Sequence, residues 1–193
     1  MVVTIADMEN TIQCCIVGDG MVGKSSIVQS FIGQASSENY VATISDNYSK
    51  DASFIGEKYT VSISDCTGEH ENQEVRCLSY KDTDVFVVCY SVNDKESFDN
   101  VKTFWVPEIR RVAGKKIPLI LVATQSDSRG QKGQDNITKF EGLELSDEIG
   151  AEHFTECSSV SRKGIVKVFE YSIQSALKYK KTKSNIVRRL IGK

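Results

Sequence analysis

Residues 18 to 25 read Gly18-Asp19-Gly20-Met21-Val22-Gly23-Lys24-Ser25, a full GxxxxGKS phosphate loop. The apolar run at 12–17 before it reads as a buried strand, and residues 26–32 after it have helical spacing. In that setting glycines let backbone N–H groups turn inward onto phosphate oxygens at a helix N-terminus, whose dipole favours negative charge. Lys24 is then placed to reach terminal phosphates and Ser25 to ligate Mg²⁺. The chain is built to hold a nucleoside phosphate, with Gly20, Met21, Val22, Gly23, Lys24, Ser25 and Ser26 as the contacts on the phosphate side.

Outward from this loop, strand-like and helical patterns alternate. Residues 59–64, 85–90 and 117–123 read as strands, while Phe98, Val101, Trp105, Ile109 and Val112 recur at helical intervals. Ile165, Val168, Phe169, Ile173, Ala176 and Leu177 do the same. Repeated βα units predict an α/β fold, a mostly parallel sheet with helices on both faces and ligands beyond the carboxyl ends of the strands. The polar stretch at 126–136 reads as a surface loop, not a domain boundary.

Composition agrees with one globular domain: 193 residues, 40% hydrophobic and 26% charged. The six cysteines, Cys14, Cys15, Cys66, Cys77, Cys89 and Cys157, are scattered without metal-ligand spacing and read as reduced core thiols, which points to the cytoplasm. The first ten residues carry Asp7 and Glu9 and no basic stretch, unlike a secretory signal, and no apolar run approaches transmembrane length. The net charge of −2 conceals an asymmetry: from Lys178 onward there are seven cations and no acid. Ile186, Val187, Leu190 and Ile191 add an apolar stripe, so this end reads either as a solvated tail or as a contact for an anionic membrane surface. No nucleic-acid partner is expected. The expected division is an extension at 1–10, the domain at 11–179 and a basic tail at 180–193.

Two further motifs narrow the class. Asp65-Cys66-Thr67-Gly68 follows a strand and matches DxxG, in which the acid approaches Mg²⁺ through water and the glycine N–H faces a γ-phosphate. Thr124-Gln125-Ser126-Asp127 follows another strand, and a carboxylate at Asp127 can accept the N1 and N2 protons of guanine in a bidentate pair that adenine cannot make.

With these residues in place the chain resembles a small GTPase of the Rho/Rac family over nearly its whole length. The matching segments include Tyr40-Val41-Ala42-Thr43, Asp46-Asn47-Tyr48, Leu78-Ser79-Tyr80, Thr83-Asp84-Val85-Phe86, Ser97-Phe98-Asp99-Asn100-Val101 and Trp105-Val106-Pro107-Glu108. The last is characteristic of Rho proteins, and it also reads as a tryptophan packing a helix that Pro107 bends. The resemblance implies the small-GTPase P-loop fold with a six-stranded sheet, GTP/GDP and Mg²⁺ as cofactors, and effector and regulator proteins of Rho type as partners. It implies further that Thr43, with Ser25, ligates Mg²⁺, that Tyr40 contacts the nucleotide, and that Ser158, Ser159 and Val160 belong to the loop closing over guanine. Glu69, Lys24 and Gly68 fall at the catalytic positions.

Departures from the family pattern set further expectations. The family lysine that covers the base and ties two loops together is here Gln125, and Ser36 stands where an aromatic ring is usual. If each loss costs about 1–2 kcal/mol, nucleotide binding weakens by roughly 30- to 1,000-fold; the alternative is local compensation by other side chains. Glu69 replaces the glutamine after DxxG. An ionised carboxylate only accepts, whereas glutamine also donates. It also brings charge toward a polyanion, a repulsion of about 4 kcal/mol at about 4 Å in an effective dielectric near 20, before Mg²⁺ and Lys24 offset it. His70 beside it reads as a solvated surface histidine, and Thr67 replaces a small alanine. Ser45 stands for an aromatic residue in the first switch, and the interval from Asp127 to Glu156 is about two helical turns too short for the inserted helix of Rho proteins. No cysteine follows Cys157, so this chain has no CaaX prenylation site. The expected function is a Rho-like guanine-nucleotide switch in signalling with slow hydrolysis and fast exchange. The alternatives are a GTP-bound scaffold that does not hydrolyse and a P-loop kinase, for which only Arg129 speaks.

Overall fold

Strand β1 (Thr11–Val17) is the axis of the structure, a computed structural model that describes residues 10–33, 45–130 and 136–191. Ser36, Tyr40, Thr43 and Ile44 lie outside the described residues. Parallel neighbours flank β1: β3 (Glu57–Cys66) on one side and β4 (Val85–Ser91) on the other. β5 (Leu119–Thr124) and β6 (His153–Glu156) extend the sheet in parallel beyond β4. β2 (Ser45–Phe54) pairs antiparallel with β3 at the opposite edge, giving the order β2-β3-β1-β4-β5-β6. β4 and β5 are buried at every residue, as the inner strands of a sheet covered on both faces must be.

The sequence pattern missed β2, and the reason is chemical: Ser-Asp-Asn-Tyr-Ser-Lys-Asp-Ala-Ser-Phe has neither an apolar run nor a clean alternation. It is a strand because β3 templates it through the turn Ile55-Gly56, whose φ values of 50° and 79° suit a two-residue hairpin.

Five helices cover the sheet among the described residues. On one face α1 (Lys24–Ile32) and α5 (Ile165–Ile191) bury Ile27, Val28, Phe31, Val168, Phe169 and Ile173 against Ile12, Cys14 and Ile16. Phe31 and Phe169 stack with centroids 3.7 Å apart, joining the two helices. α2 (Gln73–Ser79), α3 and α4 (Lys139–Ile149) cover the other face, with Trp105, Ile109 and Leu145 in the core. α3 runs from Lys95–Asn100 through a π turn at Val101–Trp105 into Val106–Val112. The Val106 N–H reaches back five residues to the Val101 carbonyl, and Pro107, which has no N–H to give, follows at once. The bend expected from proline is thus a widened turn.

All six cysteines are free thiols, five of them buried. Burial pushes the Cys14 and Cys157 thiols up to about 12, so they stay protonated at neutral pH. Among the described residues no helix is long and apolar enough to cross a membrane. α5 crosses the junction at 179–180 without a break. Two of its cations are already engaged at the body of the domain, Lys178 with Glu152 at 3.2 Å and Lys180 with Asp84 at 3.2 Å and with the Thr11 carbonyl.

Candidate functional site

Four loops meet beyond the carboxyl ends of β1, β3, β5 and β6, where a parallel sheet gathers its ligands. The loop after β1 is shaped by conformations few residues tolerate. Gly18 has φ 140°, and a Cβ there would lie 2.2 Å from the Cys89 carbonyl oxygen. Met21 and Gly23 also have positive φ, 63° and 90°, and lead into the first turn of α1. Lys24 is 6% exposed, and its Nζ donates to the Gly18 and Asp19 carbonyls at 2.8 and 2.7 Å, folding the loop round the ammonium. Burial lowers its pKa, with Asp65 pulling the other way.

Asp65, the last residue but one of β3, is fully buried. Burial raises its pKa, opposed by the Ser25 hydroxyl and the Lys24 ammonium. Neither carboxylate oxygen has a partner of full hydrogen-bond geometry. A buried carboxylate left short of partners beside a serine hydroxyl and a lysine is a donor set that suits a hard divalent cation carrying water and phosphate oxygens as its remaining ligands. Gly68, three residues on, lies directly on the phosphate loop: a Cβ there would sit 2.3 Å from the Gly20 nitrogen and 2.4 Å from the Asp19 carbonyl carbon. Only glycine permits that approach.

The expected base side is assembled by contacts that the sequence reading did not foresee. Gln125, at φ 56°, accepts from the Ser91 hydroxyl at 2.7 Å through Oε1 and donates from Nε2 to the Met21 carbonyl at 3.1 Å. The expectation that losing the lysine unties these loops is therefore corrected: a neutral amide ties them, because it can accept at one end and donate at the other. Thr124 adds a second tie, its hydroxyl lying 2.6 Å from the Val22 carbonyl and 3.0 Å from that of Tyr90. Asp127 is exposed on the short turn Ser126–Ser128. The Ser126 N–H bonds to the Cys157 carbonyl at 3.1 Å, and Arg129 pairs with Glu156 at 2.7 Å, so this turn and the loop after β6 stand side by side. In that loop Ser158 is buried and accepts from the Ser161 N–H, Ser159 is half-buried, and Val160 is 83% exposed.

The segment after Gly68 is docked on α3. The Glu69 carboxylate accepts from Asn72 Nδ2 at 2.6 Å, and its N–H donates to the Thr67 hydroxyl at 3.2 Å. Arg76 is fully buried. It pairs with Glu108 and donates to the Glu69 carbonyl at 2.7 Å, while the Tyr80 hydroxyl donates to Glu108 at 2.7 Å. His70 is exposed at the surface, 41% of its side chain accessible, as the sequence suggested, but it is not without partners. Its Nε2 is 3.0 Å from Asp19 Oδ1, and its ring stacks on Phe104 at 3.9 Å and 9°. Asp19 also accepts from Trp105 Nε1 at 2.6 Å and Asn100 Nδ2 at 2.7 Å. One signal pointed that way: an acid inside a phosphate loop needs partners to stay there, and donors lie 51 to 86 residues away in sequence.

The geometry thus comprises a glycine-shaped anion loop, a buried carboxylate beside a serine hydroxyl, and an exposed acid on the turn after β5. A model of the Ras family matches residues 13–178, spanning all four loops. This chain belongs to the Ras family of small GTPases, guanine-nucleotide-binding switches built on this six-stranded α/β fold.

Proposed function

We propose that the chain is a divergent, Rho-like guanine-nucleotide switch in signalling, with slow GTP hydrolysis and rapid exchange. The observation that carries the slow-hydrolysis reading is the bond from Asn72 Nδ2 to the Glu69 carboxylate, which occupies the side chain at the position that normally orients water. Trp105-Val106-Pro107-Glu108 supports the Rho assignment. In this reading Lys24 and the Gly68 N–H stabilise charge on the transferred phosphoryl group, while Gly20, Met21, Val22, Gly23 and Ser26 line the phosphates. Ser25 and Thr43 would hold Mg²⁺, with Asp65 in support. Mg²⁺, when bound, neutralises charge on the β- and γ-phosphates. Asp127 selects guanine, with Tyr40, Gln125, Ser158, Ser159 and Val160 enclosing the nucleoside.

The nucleotide released from freshly purified protein, followed by single-turnover hydrolysis, tests this reading. Bound guanine nucleotide with slow conversion of GTP is expected, and equal competition by ATP and GTP would overturn it. A scaffold that holds GTP without turning it over is the second reading, and the Asn72–Glu69 bond favours it equally; absence of any conversion would select it. Residues 11–179 form the switch domain and 180–193 a basic tail, which reaches an anionic membrane surface. Protein partners are effectors and regulators of Rho type.

A further inference from the structure

His70 keeps 41% of its side chain in solvent, yet it touches groups from two distant parts of the chain. Its Nε2 meets Asp19 of the phosphate loop at 3.0 Å. One ring face lies on Phe104 at 3.9 Å, almost parallel, and Trp105 presents itself at 5.5 Å and 78°. Phe104 and Trp105 belong to the π turn of α3, and Trp105 donates to the same oxygen of Asp19 that His70 meets. Asn100 supplies the other oxygen. The Asp19 carboxylate, whose side chain is 14% exposed, therefore collects donors from the segment after Gly68 and from α3 at once. The backbone between them is equally tight, because Gly68 rests on the Asp19 and Gly20 main chain.

From this arrangement we propose that His70 is a positioning residue that couples the segment at 69–76 to the phosphate loop. The proposal deepens the nucleotide-switch reading and rests on it. Asp19 sits between Gly18 and Gly20, the backbone that encloses an anion, so any shift of that loop on filling moves the acceptor that His70 grips. The stack on Phe104 fixes the ring plane, which keeps Nε2 aimed at the carboxylate at little rotational cost. Next along the chain, Glu69 bonds Asn72 and its carbonyl takes the Arg76 guanidinium, so His70 links a span already organised around Glu69 to the phosphate loop. A single charge-assisted contact thereby joins the state of the phosphate loop to the place of the catalytic-position side chain.

Amide hydrogen exchange on the full chain tests this, without nucleotide and with saturating Mg²⁺ and GDP, for the wild type, His70→Ala and His70→Gln. Loss of one such contact corresponds to about five-fold faster exchange over 69–76 in His70→Ala. GDP should protect 69–76 strongly in the wild type and far less in His70→Ala. His70→Gln, which still donates to Asp19, should recover most of that response. Trp105 is the sole tryptophan and donates directly to Asp19, so its emission is a control: a nucleotide-dependent change in both the wild type and His70→Ala is expected, showing that the phosphate loop still responds when residues 69–76 do not. Equal protection of 69–76 by GDP in wild type and His70→Ala would overturn the coupling. If GDP fails to protect even residues 18–25, the nucleotide reading itself falls and the coupling with it. The nucleotide-free comparison separates these cases, because it measures what the His70 contacts to Asp19, Phe104 and Trp105 contribute before any nucleotide binds.

Discussion

Arg76 and Glu108 meet as a two-pronged pair, Nε to Oε1 at 2.9 Å and Nη2 to Oε2 at 2.8 Å, with both side chains essentially out of solvent. Tyr80 and Gln73 also donate to that carboxylate, and Arg76 lies over the Trp105 ring at 4.8 Å. The pair anchors α2 to α3 beneath the segment that carries Glu69. Breaking one side of such a pair leaves a buried charge unpaired, so Glu108→Leu is expected to destabilise the fold by about 3 kcal/mol in urea unfolding. Arg76→Met combined with Glu108→Leu should cost less than Glu108→Leu alone.

The same pair sets a pH dependence. Burial pushes the Glu108 carboxyl up, but Arg76, Tyr80 and Gln73 together hold it below the usual carboxylate range. A depressed acid contributes stability that is complete above its unfolded pKa and is lost as pH falls through its folded pKa. Unfolding free energy measured down the acid limb should decline for the wild type. Glu108→Gln should flatten that limb while lowering stability at neutral pH.

Gln125 gives an exchange prediction in two parts. Gln125→Ala removes the ties to Ser91 and to the Met21 carbonyl, so release of a fluorescent GDP should quicken by about five- to thirty-fold, the value of one to two ordinary hydrogen bonds. Gln125→Lys restores an aliphatic cover for the base and should slow release relative to the wild type. If both variants release at the wild-type rate, the loop tie does not limit dissociation.

Hydrolysis is expected to rise in Glu69→Gln, because an amide can accept from water and donate toward phosphate at once. Thr67 is buried and its hydroxyl accepts from the Glu69 N–H, so Thr67→Ala should add to the gain by freeing the segment. Single-turnover rates across pH distinguish the opposite case: a wild-type rate that climbs with pH, and falls in Glu69→Gln, identifies a general base.

The basic end of α5 should bind anionic vesicles in a salt-dependent way. Lys178 and Lys180 are partly committed to Glu152 and Asp84, which leaves Lys181, Lys183 and the cations beyond them to supply the attraction. Sedimentation with phosphatidylserine vesicles should fade as salt shortens the Debye length to a few ångströms. Binding that persists in high salt would refute an electrostatic attachment.

By itself the sequence determined the elements whose signals are local. The run before Gly18 had to be a buried strand, and the motif Gly18–Ser25 had to form the anion loop, because few other backbones serve those residues. Weaker signals were present and unread, such as Thr138 and Glu141, whose reciprocal bonds start α4 as a capping box. Polar β2 was illegible because its pairing with β3, not its own pattern, makes it a strand. Tertiary structure alone decided the partners of His70, Gln125 and Asp19. A side chain's type states what bonds it can make, but whether an imidazole meets water or a carboxylate 51 residues away depends on how β3 and α3 are brought together over the phosphate loop. That convergence comes from burying both faces of the sheet, a property of the whole chain that no short stretch encodes.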